Sequence, residues 1–126
     1  MARLVRRELA RLAAGAQGAY FVLSGAWPLV WMDGFLAVTG PKEDLWLVRT
    51  VGLLAIAIGL PLLAAARRGA VPPEARLLGA TSAAAFLVVD VVGYATGTLL
   101  WTYLLDAVAE AALLAVWVLL WCRARA

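Results

Sequence analysis

Residues 99–121 read LLWTYLLDAVAEAALLAVWVLLW, a stretch that is long and apolar enough to cross a lipid bilayer. Two carboxylic acids, Asp106 and Glu110, interrupt this stretch four residues apart. Residues at that spacing lie on the same face of an α-helix. An acid inside a membrane helix is costly and normally faces the interior of a bundle, where it has a partner or a function. The stretch therefore predicts a transmembrane helix with one polar face.

Three further stretches have a similar length and composition, so the chain is expected to be embedded almost entirely in a membrane. The predicted spans are residues 12–32, 45–66, 76–96 and 99–121. Hydrophobic residues make up 65% of the 126-residue chain, whereas soluble domains contain roughly 45–50%. Because the spans leave no room for a soluble module, we predict a single integral membrane domain over residues 1–126.

Arginine is distributed asymmetrically around these spans. It clusters before the first span, at residues 67–76 and after the last span. In the other two connections, Lys42 is the only basic residue. By the positive-inside rule, both termini face the cytoplasm. The sequence thus predicts an all-α fold, a four-helix transmembrane bundle with up-down-up-down topology. Ten arginines against one lysine favour a bacterial origin, and hence a multi-pass protein of the cytoplasmic (inner) membrane. The basic flanks are expected to contact anionic lipids, and nucleic acid is not an expected partner.

The connection WMDGFLAVTGPKED (residues 31–44) is apolar again before it turns at TGPK. Gly-Pro is a strong turn signal. We predict a short amphipathic segment that lies in the outer interface and covers the bundle. Lys42 and Glu43 are expected to be solvated.

Residue usage excludes several kinds of chemistry. Histidine is absent and Cys122 is the sole cysteine. The chain therefore cannot ligate haem or zinc through histidine, use histidine as a general base or form a Cys-x-x-Cys redox pair. We assign no catalytic residue, no metal ligand and no cofactor. Asp106 and Glu110 are the residues that could act as an acid/base pair if a pocket carries out a reaction.

Polar and aromatic residues fall on one face of each predicted helix, since a helix turns about 100° per residue. These faces cannot favourably point at lipid, so they are expected to converge inside the bundle. Aromatic side chains there would form the walls of a pocket for a lipid-like or quinone-like molecule. The candidate pocket residues are Tyr20, Ser24 and Trp27 on the first helix, Arg49 on the second, Asp90 and Tyr94 on the third, and Tyr103, Asp106 and Glu110 on the fourth.

Three acids and one arginine leave a surplus of negative charge inside the bundle. We expect Arg49 to pair with Asp106 or Asp90. At least one further acid would then be protonated, or matched by a bound cation or a partner chain. Three interpretations remain open. The acids hold the helices in register, they bind a small amphipathic ligand, proton or cation, or they contact a partner membrane subunit.

The layout of the chain, together with three segments, resembles small four-helix bacterial membrane proteins of the DoxX-like kind. The segments are GPKEDLWLVRTVG (residues 40–52), VVDVVGY (residues 88–94) and YLLDAVAE (residues 103–110). Some relatives of that kind are associated with respiratory or sulfur-oxidising membrane complexes. The resemblance therefore implies an accessory or structural subunit of a larger membrane complex as the alternative to a ligand-binding protein. Membrane lipids, a second copy of the chain or such a complex are the expected partners.

Overall fold

A computed structural model describes residues 1–125, and within that range the chain is all-helical. Its helices are α1 (Ala2–Val30), α2 (Met32–Thr39), α3 (Leu45–Arg68), α4 (Pro73–Ala95) and α5 (Tyr103–Arg125). Three of them, α3, α4 and α5, are long and apolar enough to cross a membrane. Helices α1 and α2 meet the same criterion as a pair, although they are bent by 111°. The described residues thus contain three helices that could span a membrane, or four if the bent pair forms one span, and this composition is that of a membrane protein.

Three helices begin at residues that differ from the predicted spans, and α4 differs least, since it begins at Pro73 rather than at residue 76. Helix α1 begins at Ala2 rather than at residue 12, so the first arginines are helical. Helix α5 begins at Tyr103 rather than at residue 99. The chain leaves α4 through Gly97, which has a φ of 78°, and the amide of Leu99 donates to the carbonyl oxygen of Gly93 over 3.0 Å. This turn delays the start of α5 and leaves residues 99–102 in the connection.

Arginines near the start of α1 contact the last turns of two other helices. The Nε of Arg11 donates to the carbonyl oxygen of Ala66 in α3 over 3.0 Å. The Nη1 of Arg6 donates to the carbonyl oxygen of Arg123 in α5 over 2.7 Å. The final carbonyl groups of a helix have no partner within it and carry partial negative charge, so a cation there is stabilising. The start of α1 and the ends of α3 and α5 thus lie at the same end of the molecule.

Helices α1 and α3 form the most extensive helix pair, and glycines allow their backbones to touch. A Cβ atom built on Gly25 would lie 2.4 Å from the carbonyl oxygen of Gly52, and one on Gly18 would lie 2.8 Å from that of Gly59. Small residues of this kind permit close backbone approach in membrane helix pairs. Helices α4 and α5 form a second pair, and fewer contacts connect the two pairs.

The arginine-rich end of the molecule has a closed, well-packed core. It is built largely from small side chains and one tryptophan: Ala10, Ala13, Ala14, Leu62, Ala65, Val71, Ala75, Trp117 and Leu120. Next to this core the amide of Gln17, which is fully buried, connects three helices. Its Nε2 donates to the carbonyl oxygen of Gly79 over 2.9 Å and to the Oγ of Ser82 over 3.2 Å, and its Oε1 accepts from the Nε1 of Trp117 over 2.7 Å. This layer closes one half of the molecule.

Candidate functional site

The other half of the molecule contains a cavity of about 610 Å³ between the two helix pairs. It begins one helical turn beyond Gln17, and all five helices contribute to its walls. The predicted pocket residues that line it are Tyr20, Ser24, Trp27, Asp90, Tyr103, Asp106 and Glu110. Most of the remaining wall is aliphatic or aromatic, with Phe21 and Phe86 meeting edge to face at a centroid distance of 5.2 Å. The structure therefore brings the polar faces of α1, α4 and α5 together.

The three acids are gathered at the deep side of this cavity, which we call the acid floor (Asp90, Asp106 and Glu110). Asp90 is 2% exposed and Glu110 is 1% exposed. The hydroxyl of Tyr20 donates a hydrogen bond to Oδ1 of Asp106. The carboxyl groups of Asp90 and Asp106 line the same cavity, so the three acids share one apolar-walled space.

Some hydrogen-bonding capacity in the cavity is unused by the protein. Among the described residues, three buried side-chain oxygens have no hydrogen-bond partner: Oδ2 of Asp90, Oγ1 of Thr102 and Oε2 of Glu110. All three residues line the same cavity. Thr102 belongs to the connection before α5, and the sequence interpretation, which made it part of the last helix, did not select it. The unpartnered oxygens therefore mark one site rather than scattered packing defects.

Lys42 covers the cavity from the opposite side. Its Nζ lies 5.3 Å from the centroid of the Phe35 ring and 5.2 Å from that of the Tyr103 ring, within the range of a cation–π contact. Trp27 meets Phe35 edge to face at 5.4 Å, so these four side chains form a roof. The prediction that Lys42 is solvated is wrong, because the side chain is half-buried and lines the cavity.

The turn between α2 and α3 explains the position of Lys42. Gly40 adopts a φ of 95°, a backbone conformation that residues other than glycine rarely adopt, and the chain turns there between α2 and α3. The Nζ of Lys42 then donates to Oγ1 of Thr39 over 3.0 Å and to the carbonyl oxygen of Gly40 over 3.2 Å. The GPK segment predicted a turn correctly, but the sequence did not indicate whether Lys42 faces the solvent or the cavity.

Two predicted pocket residues lie elsewhere. Arg49 is exposed and forms no ion pair with another described residue, so the predicted pairing of Arg49 with Asp106 or Asp90 is wrong. The ion pair found in the described part of the chain is a surface contact of 3.7 Å between Glu8 and Arg11. Tyr94 is 45% exposed and does not line the cavity. Arg49 lies outside the cavity because the glycines of α3 face α1 and so fix the buried side of α3. Tyr94 lies outside it because it is in the last turn of α4, which ends at Ala95.

The charge distribution of the cavity is strongly asymmetric. Lys42 in the roof is the one cationic side chain among the described lining residues, and it bonds to backbone and threonine oxygens rather than to an acid. The acid floor therefore has no counter-charge from the residues that the structure describes. In the same described range, no group of three or more His, Cys, Asp or Glu side chains is arranged to hold a metal ion.

No protein-family model, curated protein or solved structure matches the chain. The resemblance to DoxX-like proteins stays a prediction, and the function is inferred from the residues of the site itself.

Proposed function

We propose that this chain is a four-span protein of the bacterial cytoplasmic membrane that binds a small amphipathic molecule in the cavity above the acid floor. One observation carries the proposal. The buried side-chain oxygens that lack a partner, on Asp90, Thr102 and Glu110, all line a single cavity whose walls are otherwise largely apolar. A molecule with a polar end and an apolar body would satisfy both parts of this surface.

The contrast with Gln17 supports binding over a purely structural role. The amide of Gln17 uses both its nitrogen and its oxygen to tie helices together. The deep acids leave oxygens unused, and an unsatisfied buried group costs about 1–3 kcal/mol. A side chain whose sole role was to fix the helix register could do so with all its polar atoms hydrogen-bonded, as Gln17 does, and without this cost. The cavity volume of about 610 Å³ also lies within the range of roughly 300–1,000 Å³ typical of small-molecule pockets.

The proposed topology is up-down-up-down with both termini in the cytoplasm. Contacts of Arg6 and Arg11 with the ends of α5 and α3 support it, because they gather the basic residues of both termini at one end. Arg67 and Arg68, in the last turn of α3, add to the positive charge there. By the positive-inside rule that end faces the cytoplasm, so the cavity and its roof lie toward the outer surface.

Thiol labelling tests this orientation. In a Cys122→Ala background, Glu43→Cys and Ala70→Cys introduce single cysteines at two exposed positions, one in each connection of α3. We expect a membrane-impermeant thiol reagent to label position 43, but not position 70, in intact cells. Both positions should react after the cells are broken. Labelling of position 70 alone in intact cells would reverse the orientation and place the cavity toward the cytoplasm.

Filling the cavity tests the proposed function. Ala109 lines the cavity beside Glu110, whereas Ala112 on the same helix is exposed. We expect native mass spectrometry of the wild-type protein, extracted in a mild detergent, to show one retained small amphipathic molecule. Ala109→Trp should lose this adduct because the indole occupies the cavity, and Ala112→Trp should keep it. Identical adducts on all three proteins would identify them as surface lipid and contradict the proposal. A retained protein partner, with no small molecule, would support the accessory-subunit alternative.

A further inference from the structure

We propose that the molecule held in this cavity is a monocationic amphiphile whose head group carries N–H donors, that is, a primary or secondary ammonium with an apolar body. The inference rests on the proposed function and adds the chemical class of the ligand. The ammonium is placed on the acid floor at Asp90 and Glu110, and the apolar body extends along the aromatic walls toward the roof.

The hydrogen-bonding character of the floor selects a donor. Asp90 and Glu110 are more than nine-tenths buried, each has one oxygen without a partner, and both line the cavity. An ionised carboxylate only accepts hydrogen bonds, so a ligand that donates to these oxygens and carries a positive charge stabilises the ionised form of the acids. An ammonium group offers several N–H donors in a compact head. Its hydrogen bonds to carboxylates are charge-assisted and about twice as strong as neutral ones.

The charge of the cavity selects a cation. Asp106, the third member of the acid floor, already accepts a hydrogen bond from the hydroxyl of Tyr20. No cationic side chain of the described residues pairs with any of the three acids. An anionic head would add to this surplus in a medium of low dielectric constant, whereas a monocation relieves the repulsion between neighbouring carboxyl groups.

Lys42 in the roof favours one orientation of the ligand and does not favour an anionic head group. Its ammonium already donates to Thr39 and Gly40 and lies between the Phe35 and Tyr103 rings. An anionic head at the roof would have to replace those contacts. A cationic head is repelled from Lys42 and attracted to the acid floor, so both ends of the cavity favour the same orientation.

Probes that differ only in their head group test the inference. Decylamine, decanol and decanoate share one apolar chain and carry a cationic, a neutral and an anionic head at neutral pH. Equilibrium binding is measured with the wild-type protein in lipid nanodiscs, and empty nanodiscs give the background from partitioning into lipid. We expect decylamine to bind at least about tenfold more tightly than decanol, since one charge-assisted hydrogen bond changes affinity by about this factor. Decanoate should bind more weakly than decanol.

Variants locate the selectivity. Glu110→Gln and Asp90→Asn should each reduce decylamine affinity about tenfold and change decanol affinity by clearly less, because they remove the charge and keep the shape. Glu74→Gln, which changes an exposed acid in the first turn of α4, should leave both affinities unchanged. If one floor variant fails to fold, the other provides the same comparison.

Each outcome separates the two proposals. Equal binding of decylamine and decanol overturns the ammonium assignment and leaves an amphiphile-binding cavity in place. Tightest binding of decanoate also overturns it and points to Lys42 as the head-group contact. Binding of all three probes no greater than to empty nanodiscs removes the proposed function itself. Tighter decylamine binding that persists in both floor variants overturns the placement of the head group.

Discussion

Gly25→Ala is expected to lower the free energy of unfolding by about 3 kcal/mol, although alanine is the better helix former. The added methyl group would lie 2.4 Å from the carbonyl oxygen of Gly52, closer than a Cβ atom approaches in a real protein. The obstacle is backbone, which cannot rotate away as a side chain can. Helices α1 and α3 must therefore move apart, and the contact between Gly18 and Gly59 further along the same pair is weakened as well.

Gly15→Ala is the matched control on the same helix. A Cβ atom at this position would meet only the Cβ of Ala66, at an ordinary contact distance of 3.4 Å. We expect it to stabilise the protein by roughly 0.5–1 kcal/mol, the usual gain of alanine over glycine inside a helix. Equilibrium unfolding in mixed micelles with increasing denaturing detergent measures both variants. Equal stabilities for the two variants would show that α1 and α3 are not in direct backbone contact.

Gln17→Leu is expected to lower the free energy of unfolding by about 2 kcal/mol, since it removes three buried hydrogen bonds at once. Leucine keeps the approximate size of the side chain but leaves the indole N–H of Trp117 and the carbonyl oxygen of Gly79 without that partner. Ser82→Ala should cost less, because Ser82 also bonds to its own helix at Leu78 and supplies just one contact to Gln17.

A double-mutant cycle identifies the Gln17 contact with Trp117. If the two side chains act as a pair, Gln17→Leu combined with Trp117→Phe will destabilise the protein by clearly less than the sum of the single changes. The same unfolding assay provides the four free energies. Strictly additive losses would mean that Gln17 does not couple α1 to α5.

Helical periodicity was sufficient to predict most of the site. Because side chains four residues apart share a face, Asp106 and Glu110 were expected on one side of the last helix, and Tyr20 and Ser24 on one side of the first. The cost of charge in lipid then required these faces to point inward. The cavity contains all four of these residues together with Asp90. Helical periodicity and the cost of a charge in lipid both apply to one helix at a time, so the sequence of that helix is enough to use them.

The errors concern features that depend on neighbouring elements. Arg49 was expected to pair with an acid because it lies at a similar depth in the membrane. The buried side of α3, however, is set by Gly52 and Gly59, which pack against α1. The seven-residue spacing of Gly18 and Gly25, repeated in α3, is the sequence signal for that contact. Lys42 was placed in solvent because periodicity does not extend through a turn, where the backbone angles of Gly40 decide its direction.

The free energy of unfolding of Glu110→Gln tests the central claim most directly, namely that the acid floor serves binding rather than helix register. Oε2 of Glu110 has no partner to lose, and glutamine keeps the shape while it removes a buried acid without a counter-charge. The account predicts a stability within about 1 kcal/mol of the wild type, or higher, as expected when a functional site is not optimised for stability. A loss comparable to the 3–5 kcal/mol that accompanies a broken buried ion pair would contradict it and assign Glu110 to holding the helices together.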